Sequence, residues 1–192
     1  MKKYTDLTLE TYLNHLASAE PVPGGGSAAA YVAALGMALT QMVGRVALAR
    51  KKKPGNPETI QKIIDSVEKA KRDAFQIVNL DPQVYQDVME ASEHPEKMED
   101  ALQNSFRLQA DLAFLVVMAR EWNSNLQGLI QGSIKNDLLV AASLLEAAFH
   151  GACHTAMINV RYMKDAARKA TAEKAVAELK ARFEKGNAGA PR

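Results

Sequence analysis

The chain has 192 residues, of which 47% are hydrophobic and 24% charged, with a formal net charge of +2. A chain of this length can form one ordinary domain that buries roughly 70% of its unfolded surface, and its composition excludes the low-hydropathy, high-charge profile of disordered chains. So small a net charge demands neither a nucleic-acid nor a membrane partner, and the single cysteine, Cys153, excludes an intramolecular disulfide framework and fits a reducing, cytoplasmic compartment.

The N-terminus, Met1-Lys2-Lys3-Tyr4-Thr5-Asp6, has no apolar stretch behind its two lysines and does not read as a secretory signal. Leu9, Tyr12, Leu13 and Leu16 share one face behind a Thr8 cap, which predicts a helix ending near Ser18. A long helix is expected over residues 27–50, where Ala29, Ala33, Gly36, Ala38 and Gly44 let neighbours approach on several sides. Its alanine-rich, weakly hydrophobic stretch reads as the buried axis of a core and not as a membrane span. Asn56 followed by Pro57 predicts the start of a helix that turns Ile60, Ile63, Ile64, Val67, Ala70, Ala74 and Ile77 inward.

Asp81-Pro82 repeats the cap-then-proline pattern and predicts a separate short helix, with Asp81 as its cap, before Pro95 opens another that runs to about Trp122. The pattern breaks up around Gly128 and Gly132, and an apolar series from Leu138 to Met163 then predicts a second long helix. Residues 164–185 continue it as a charged, solvated extension, and residues 186–192 are expected to be a disordered tail. Strand alternation is missing throughout. The expectation is an all-α fold, a single-domain helical bundle over residues 1–185 with two long central helices, whose excess apolar surface predicts a homodimer.

Chemistry concentrates in few places. Pro21-Val22-Pro23-Gly24-Gly25-Gly26-Ser27 is a rigid entry, three glycines and a helix start; glycine permits positive φ and close backbone approach, and Ser27 can cap, leaving free N–H groups at the positive helix end for an anion or electron-rich ring. A tight loop between two helices is the plainer reading. Arg45, Arg50, Lys51, Lys52 and Lys53 form a basic patch roughly 30 Å further along the same helix. If both serve one elongated ligand, a second subunit or neighbouring helix must join them; otherwise the lysines are a solvated helix end. Asp137 can cap the second long helix, receive N–H bonds, or face a cleft as a proton-transfer group. His150 and His154 lie four apart, but no HExxH-type motif accompanies them, so no metal site is expected. The glycine run also lacks the preceding strand of a dinucleotide fold.

Pro23-Gly24-Gly25-Gly26-Ser27-Ala28-Ala29-Ala30, with Ala38-Leu39, Met42-Val43 and the lysine run, resembles the PGGGS...MV...KK signature of the formiminotransferase-cyclodeaminase family and its stand-alone cyclohydrolase relatives. Asp81, Tyr85, Val88, Met89 and Ala91 are similar to the family's D...Y..VM.A segment, Lys135-Asn136-Asp137 with Val140-Ala141-Ala142 to its KSD..VAA segment, and Gly151-Ala152 with Ile158-Asn159-Val160 to its late GA..N..INL stretch. The resemblance covers roughly residues 5–165 and implies an all-helical dimer acting on a tetrahydrofolate derivative, with no cofactor beyond that substrate. It implies one of two reactions: hydrolysis of 5,10-methenyltetrahydrofolate to 10-formyltetrahydrofolate, the leading expectation, or release of ammonia from 5-formiminotetrahydrofolate. A divergent, non-catalytic folate-binding or oligomeric helical protein is the alternative of another class. On the resemblance, Gly24, Gly25, Gly26 and Ser27 would contact the pterin, Lys51 and Lys52 the glutamate tail, Asp81 would belong to the binding site, and Asp137 would be the catalytic acid/base. The sequence departs from the family at Gln131, Ser133 and Thr155, where asparagines are usual, and at Asn136, where a serine is usual.

Overall fold

Thr8 starts the first helix as its sequence suggests: α1 (Leu9–Leu16) begins where the Thr8 hydroxyl accepts the Thr11 N–H at 3.1 Å. In this computed structural model, which describes residues 3–50 and 55–187, helices are the only regular secondary structure among the described residues. They are α1, α2 (Gly25–Ala49), α3 (Pro57–Glu90), α4 (Pro95–Leu129), α5 (Lys135–Tyr162) and α6 (Ala166–Asn187), with short 3-10 turns at Tyr4–Asp6 and Ala91–Glu93. Lys51, Lys52, Lys53 and Pro54 lie outside the described residues, as do residues 188–192 of the expected tail.

Three boundaries differ from the sequence expectation by a full helical turn or more. Asp81 does not begin a helix: α3 runs unbroken through Pro82 to Glu90. A proline inside a helix leaves the carbonyl four residues back without its donor. That carbonyl belongs to Val78, and the Ser27 hydroxyl of α2 donates to it at 2.9 Å, so a tertiary contact replaces the missing bond. Likewise α4 does not stop near Trp122, because Asn123 and Gln127 turn inward: Asn123 donates to the Thr40 hydroxyl at 3.0 Å and Gln127 to the Asn123 side-chain oxygen at 2.9 Å. Finally, residues 164–185 are not an extension of α5. The chain breaks at Met163, and Asp165 caps a new helix by accepting the Ala167 and Arg168 N–H groups at 2.9 and 3.0 Å. Nor is α6 wholly solvated, since Ala172, Val176 and Phe183 are buried and the Phe183 ring stacks on Phe149 at 4.0 Å.

α2 to α5 form an antiparallel bundle in which α2 and α4 each pack against both α3 and α5, while α6 folds back on α4. Small residues on α2 set the spacing: a Cβ at Gly36 would sit 2.9 Å from Leu145 Cγ, and one at Gly44 2.9 Å from Ile64 Cγ1. α2 and α5 are each long and apolar enough to cross a membrane by length and composition, and 50% and 44% of their most apolar stretches are buried in the bundle. The outward side of the pair still exposes Leu35, Val46, Leu139, Val140 and Ile158.

Candidate functional site

The glycine segment enters α2 through a cis Val22–Pro23 bond, and none of its three glycines takes a positive φ; among the described residues only Gly132 does, at 89°. Gly24 is the extended residue at the cap position of α2, Gly25 and Gly26 already belong to the first turn, and Ser27 is therefore inside the helix and not its cap. The reason for glycine lies in what approaches. A Cβ at Gly26 would overlap the Asp81 carboxylate and the Gln109 amide, lying 2.7 Å from Asp81 Cγ. At Gly25, which is open to solvent, the nearest atom to such a Cβ would be Thr155 Oγ1 at 3.8 Å.

Asp81 closes the helix start from across the core. Its Oδ2 accepts the Ser27 N–H at 2.9 Å and its Oδ1 accepts from Gln109 Nε2 at 2.7 Å. It therefore supplies α2 with the capping carboxylate that Gly24 cannot, at the end where the helix dipole favours negative charge. The amides of Gly25 and Gly26 precede the first intrahelical bond, from the Ala28 N–H to Gly24 O, and point out of the helix end. Asp81 is 8% exposed and is the one charged side chain among the buried polar residues described. Burial pushes its carboxyl above the ordinary carboxylate value, while the Ser27 N–H and Gln109 pull it back down. Gln109 is 0% exposed, and its Oε1 is buried without a partner.

A second layer holds Ser27. The Tyr12 hydroxyl lies 3.1 Å from Ser27 Oγ, and its ring stacks on Tyr31 at 4.8 Å with Tyr4 edge-on. Burial raises the Tyr12 hydroxyl above its usual value, with the Ser27 hydrogen bond acting against it. A small cavity of about 60 Å³ between Tyr4, Val22, Asn79 and Pro82 adjoins this end of the bundle.

Of the residues singled out in the sequence, the fold brings Gly24, Gly25, Gly26, Ser27 and Asp81 together and leaves Asp137 apart. Leu145 packs on Gly36, Thr155 faces Gly25, and Arg50 donates to Gln131 O at 2.9 Å, so α5 runs antiparallel to α2 with its start beside the Arg50 end. Asp137 lies in the first turn of α5, three residues past Ile134 at the cap position, and so is not itself the cap. It stands about 28 Å along α2 from Gly25, at a rise of 1.5 Å per residue. The altered positions divide the same way: Thr155 faces the glycine segment, and Gln131, Ser133 and Asn136 sit at the far end. His150 and His154 are exposed on α5, and no three His, Cys, Asp or Glu side chains converge among the described residues. Gln109 and Tyr12 were not marked by any sequence motif, because a glutamine within a helix and an aromatic on an amphipathic face read as surface and packing.

A family model described as formiminotransferase-cyclodeaminase matches residues 8–178. The formimidoyltransferase-cyclodeaminase of Sus scrofa is 28% identical over 182 residues, which cover 89% of this chain and 34% of that protein. The Rattus norvegicus protein of the same name is 30% identical over 172 residues, or 83% and 32%. The methenyltetrahydrofolate cyclohydrolase of Methylorubrum extorquens is 32% identical over 93 residues, or 48% and 45%. The chain thus spans about a third of the length of the two mammalian relatives. The crystal structure of formiminotetrahydrofolate cyclodeaminase from Thermotoga maritima matches with a TM-score of 0.91 at 22% identity, covering 96% of this chain and 93% of that one, which shows a shared fold. With 8–178 matched, and the glycine segment and Asp81 inside that range, the chain belongs to the formiminotransferase-cyclodeaminase family.

Proposed function

We propose that this protein is a folate one-carbon enzyme that hydrolyses the methenyl bridge of 5,10-methenyltetrahydrofolate to 10-formyltetrahydrofolate, with Asp81 as the proton-transfer group. The observation that carries this reading is the pairing of an open Gly25 with a buried carboxyl one residue's width behind it, at Gly26. Gly25 and Gly26 amides at a positive helix end suit the electron-rich edge of a pterin. A carboxyl raised by burial holds a proton nearer to neutrality than an ordinary one, as acid/base work requires. In the reaction, water adds to the bridge carbon and loses one proton, which leaves to solvent through Asp81. Asp81 then moves the hydroxyl proton to N5 as the C–N5 bond breaks, and the carbonyl remains on N10.

A second reading, closure of the same bridge with loss of ammonia from 5-formiminotetrahydrofolate, is favoured by the names of the relatives that match most of this chain. It uses the same site: Asp81 takes the N10 proton as N10 attacks the formimino carbon and delivers a proton to the departing nitrogen.

The active form in this proposal is a homodimer. The exposed Leu35 and Val46 of α2, with Val140 and Ile158 of α5, offer apolar surface for a second copy to cover. A two-fold axis through that face sets α2 antiparallel to its copy, which brings the partner's Arg45, Arg50 and Asp137 to the glycine end and removes the 28 Å separation of about 19 helical residues. The basic residues would then receive the glutamate carboxylates of the folate tail. The test is direct: purified protein should accelerate loss of the methenyl ultraviolet absorbance over background, and Asp81→Asn should not. Ammonia from the formimino substrate without methenyl hydrolysis would select the second reading, and neither activity, from a folded protein, would refute both.

A further inference from the structure

Asp81 is met by two donors of different kinds. The Ser27 N–H can only donate. Gln109, by contrast, carries a donor and an acceptor on one rotatable group, and in the structure only the donor is used: Nε2 bonds Asp81 Oδ1 at 2.7 Å while Oε1 is buried with no partner. Gln109 is fully enclosed, and Gly26 leaves the space into which both side chains reach. We propose that Gln109 is a positioning residue for Asp81, holding it in one place both as a carboxylate and as a carboxylic acid.

The argument is one of hydrogen-bond inventory. A carboxylate only accepts, so Gln109 must present its NH2; with Oδ2 held by the Ser27 N–H, the proton of the carboxylic acid goes on Oδ1 and donates, and the same residue can present its oxygen to it. A half-turn of the amide exchanges the two. In the charged state Oε1 is left over; in the neutral state Nε2 is left over, so the burden of one unsatisfied buried group falls equally on both. Gln109 therefore lets the proton come and go without moving the carboxyl, where a leucine would favour the acid and a lysine would fix the anion. The other groups around Asp81 do not do this: Ser27 of α2 offers its amide, and Tyr12 of α1, the titratable neighbour that feels its charge, hydrogen-bonds Ser27 instead.

The inference rests on the reading of Asp81 as proton carrier for its catalytic meaning, but its test does not need substrate. In ligand-free protein, ¹³C NMR follows the Asp81 carboxyl, assigned by its loss in Asp81→Asn, while ¹⁵N NMR follows the Gln109 side-chain amide. The expected result is that both signals change with one common midpoint, and that Gln109→Leu raises the Asp81 midpoint by about one pH unit, because the leucine removes a bond from each state and the charge-assisted bond to the carboxylate is the stronger of the two. Turnover should follow, with the corresponding limb of the kcat/KM profile moving upward and KM changing less than kcat. Gln109→Met serves the same purpose if the leucine variant does not fold. A Gln109 amide signal indifferent to pH, or an unmoved Asp81 midpoint in a folded variant, overturns the proposal. A moved midpoint with an unmoved activity profile upholds Gln109's hold on Asp81 and instead removes Asp81 from the reaction.

Discussion

Replacing Asp81 by Asn exchanges one oxygen for an NH2 group in a setting already equipped for it. The Asn carbonyl oxygen can still accept the Ser27 N–H, and once the Gln109 amide turns over, the new NH2 can donate to the Gln109 oxygen that now has no partner. Asp81→Ala, in contrast, leaves the Ser27 N–H and the Gln109 amide unpaired, at a cost of roughly 1–3 kcal/mol each. The Asn variant should also lose the burden of a buried charge. Because the folded carboxyl is raised above 3.8, its contribution to stability is complete below that value and is lost as pH rises through the folded value. Each pH unit of that displacement is worth about 1.4 kcal/mol. Urea unfolding between about pH 4 and pH 8 should therefore show Asp81→Asn gaining on the parent as pH rises, then levelling off. Methenyl hydrolysis should meanwhile fall by about a hundredfold or more, as loss of a general acid or base requires. An Asn variant as unstable as the Ala variant at neutral pH, or one that keeps full turnover, would refute the reasoning.

Four further outcomes can be checked. Gly26→Ala should cost about 1–3 kcal/mol in denaturant, since its methyl collides with Asp81 and Gln109, whereas Gly25→Ala should fold normally and weaken folate binding in a fluorescence titration. Phe183→Ala removes the ring stacked on Phe149 and should lower stability by about 3–5 kcal/mol, measured by urea unfolding; a negligible change would return α6 to the surface role first expected of it. Leu35→Glu places a charge in the proposed dimer face and should give a monomer by sedimentation with lost activity, while a monomeric parent would remove the shared site. With Asp137 as the partner-supplied acid/base that the family resemblance implies, Asp137→Asn should be inactive alone and recover activity when co-assembled with Asp81→Asn, because a mixed dimer would restore one intact site; failure to complement from a mixed dimer would exclude Asp137 from it.

The readable features were those set by local chemistry. Thr8 capped its helix, Pro57 and Pro95 opened theirs, and the apolar runs marked α2 and α5, because caps, helix-start prolines and 3.6-residue periodicity act over a few residues and need no partner. The same local rules misled wherever a distant group supplied what the local pattern lacked. Pro82 read as a helix start because the donor that answers for its missing N–H, the Ser27 hydroxyl, lies 51 residues before the Val78 carbonyl it satisfies. Asn123 and Gln127 read as a break because Thr40, the partner of Asn123, lies 83 residues away and Gln127 in turn bonds Asn123. Charged faces likewise hid the three inward residues of α6.

Glycine rich in promise but silent on purpose is the clearest division between the two levels. By itself the chain determined that a flexible, side-chain-free segment would open a long apolar helix, since that follows from residue types in order. Only the tertiary structure decided which acid stands behind it, that Asp81 and Gln109 fill the space Gly26 leaves, and that Asp137 lies at the other end of α2. The physical reason is that a buried polar contact joins groups by packing and hydrogen-bond need, which are properties of the folded interior and carry no fixed spacing along the chain.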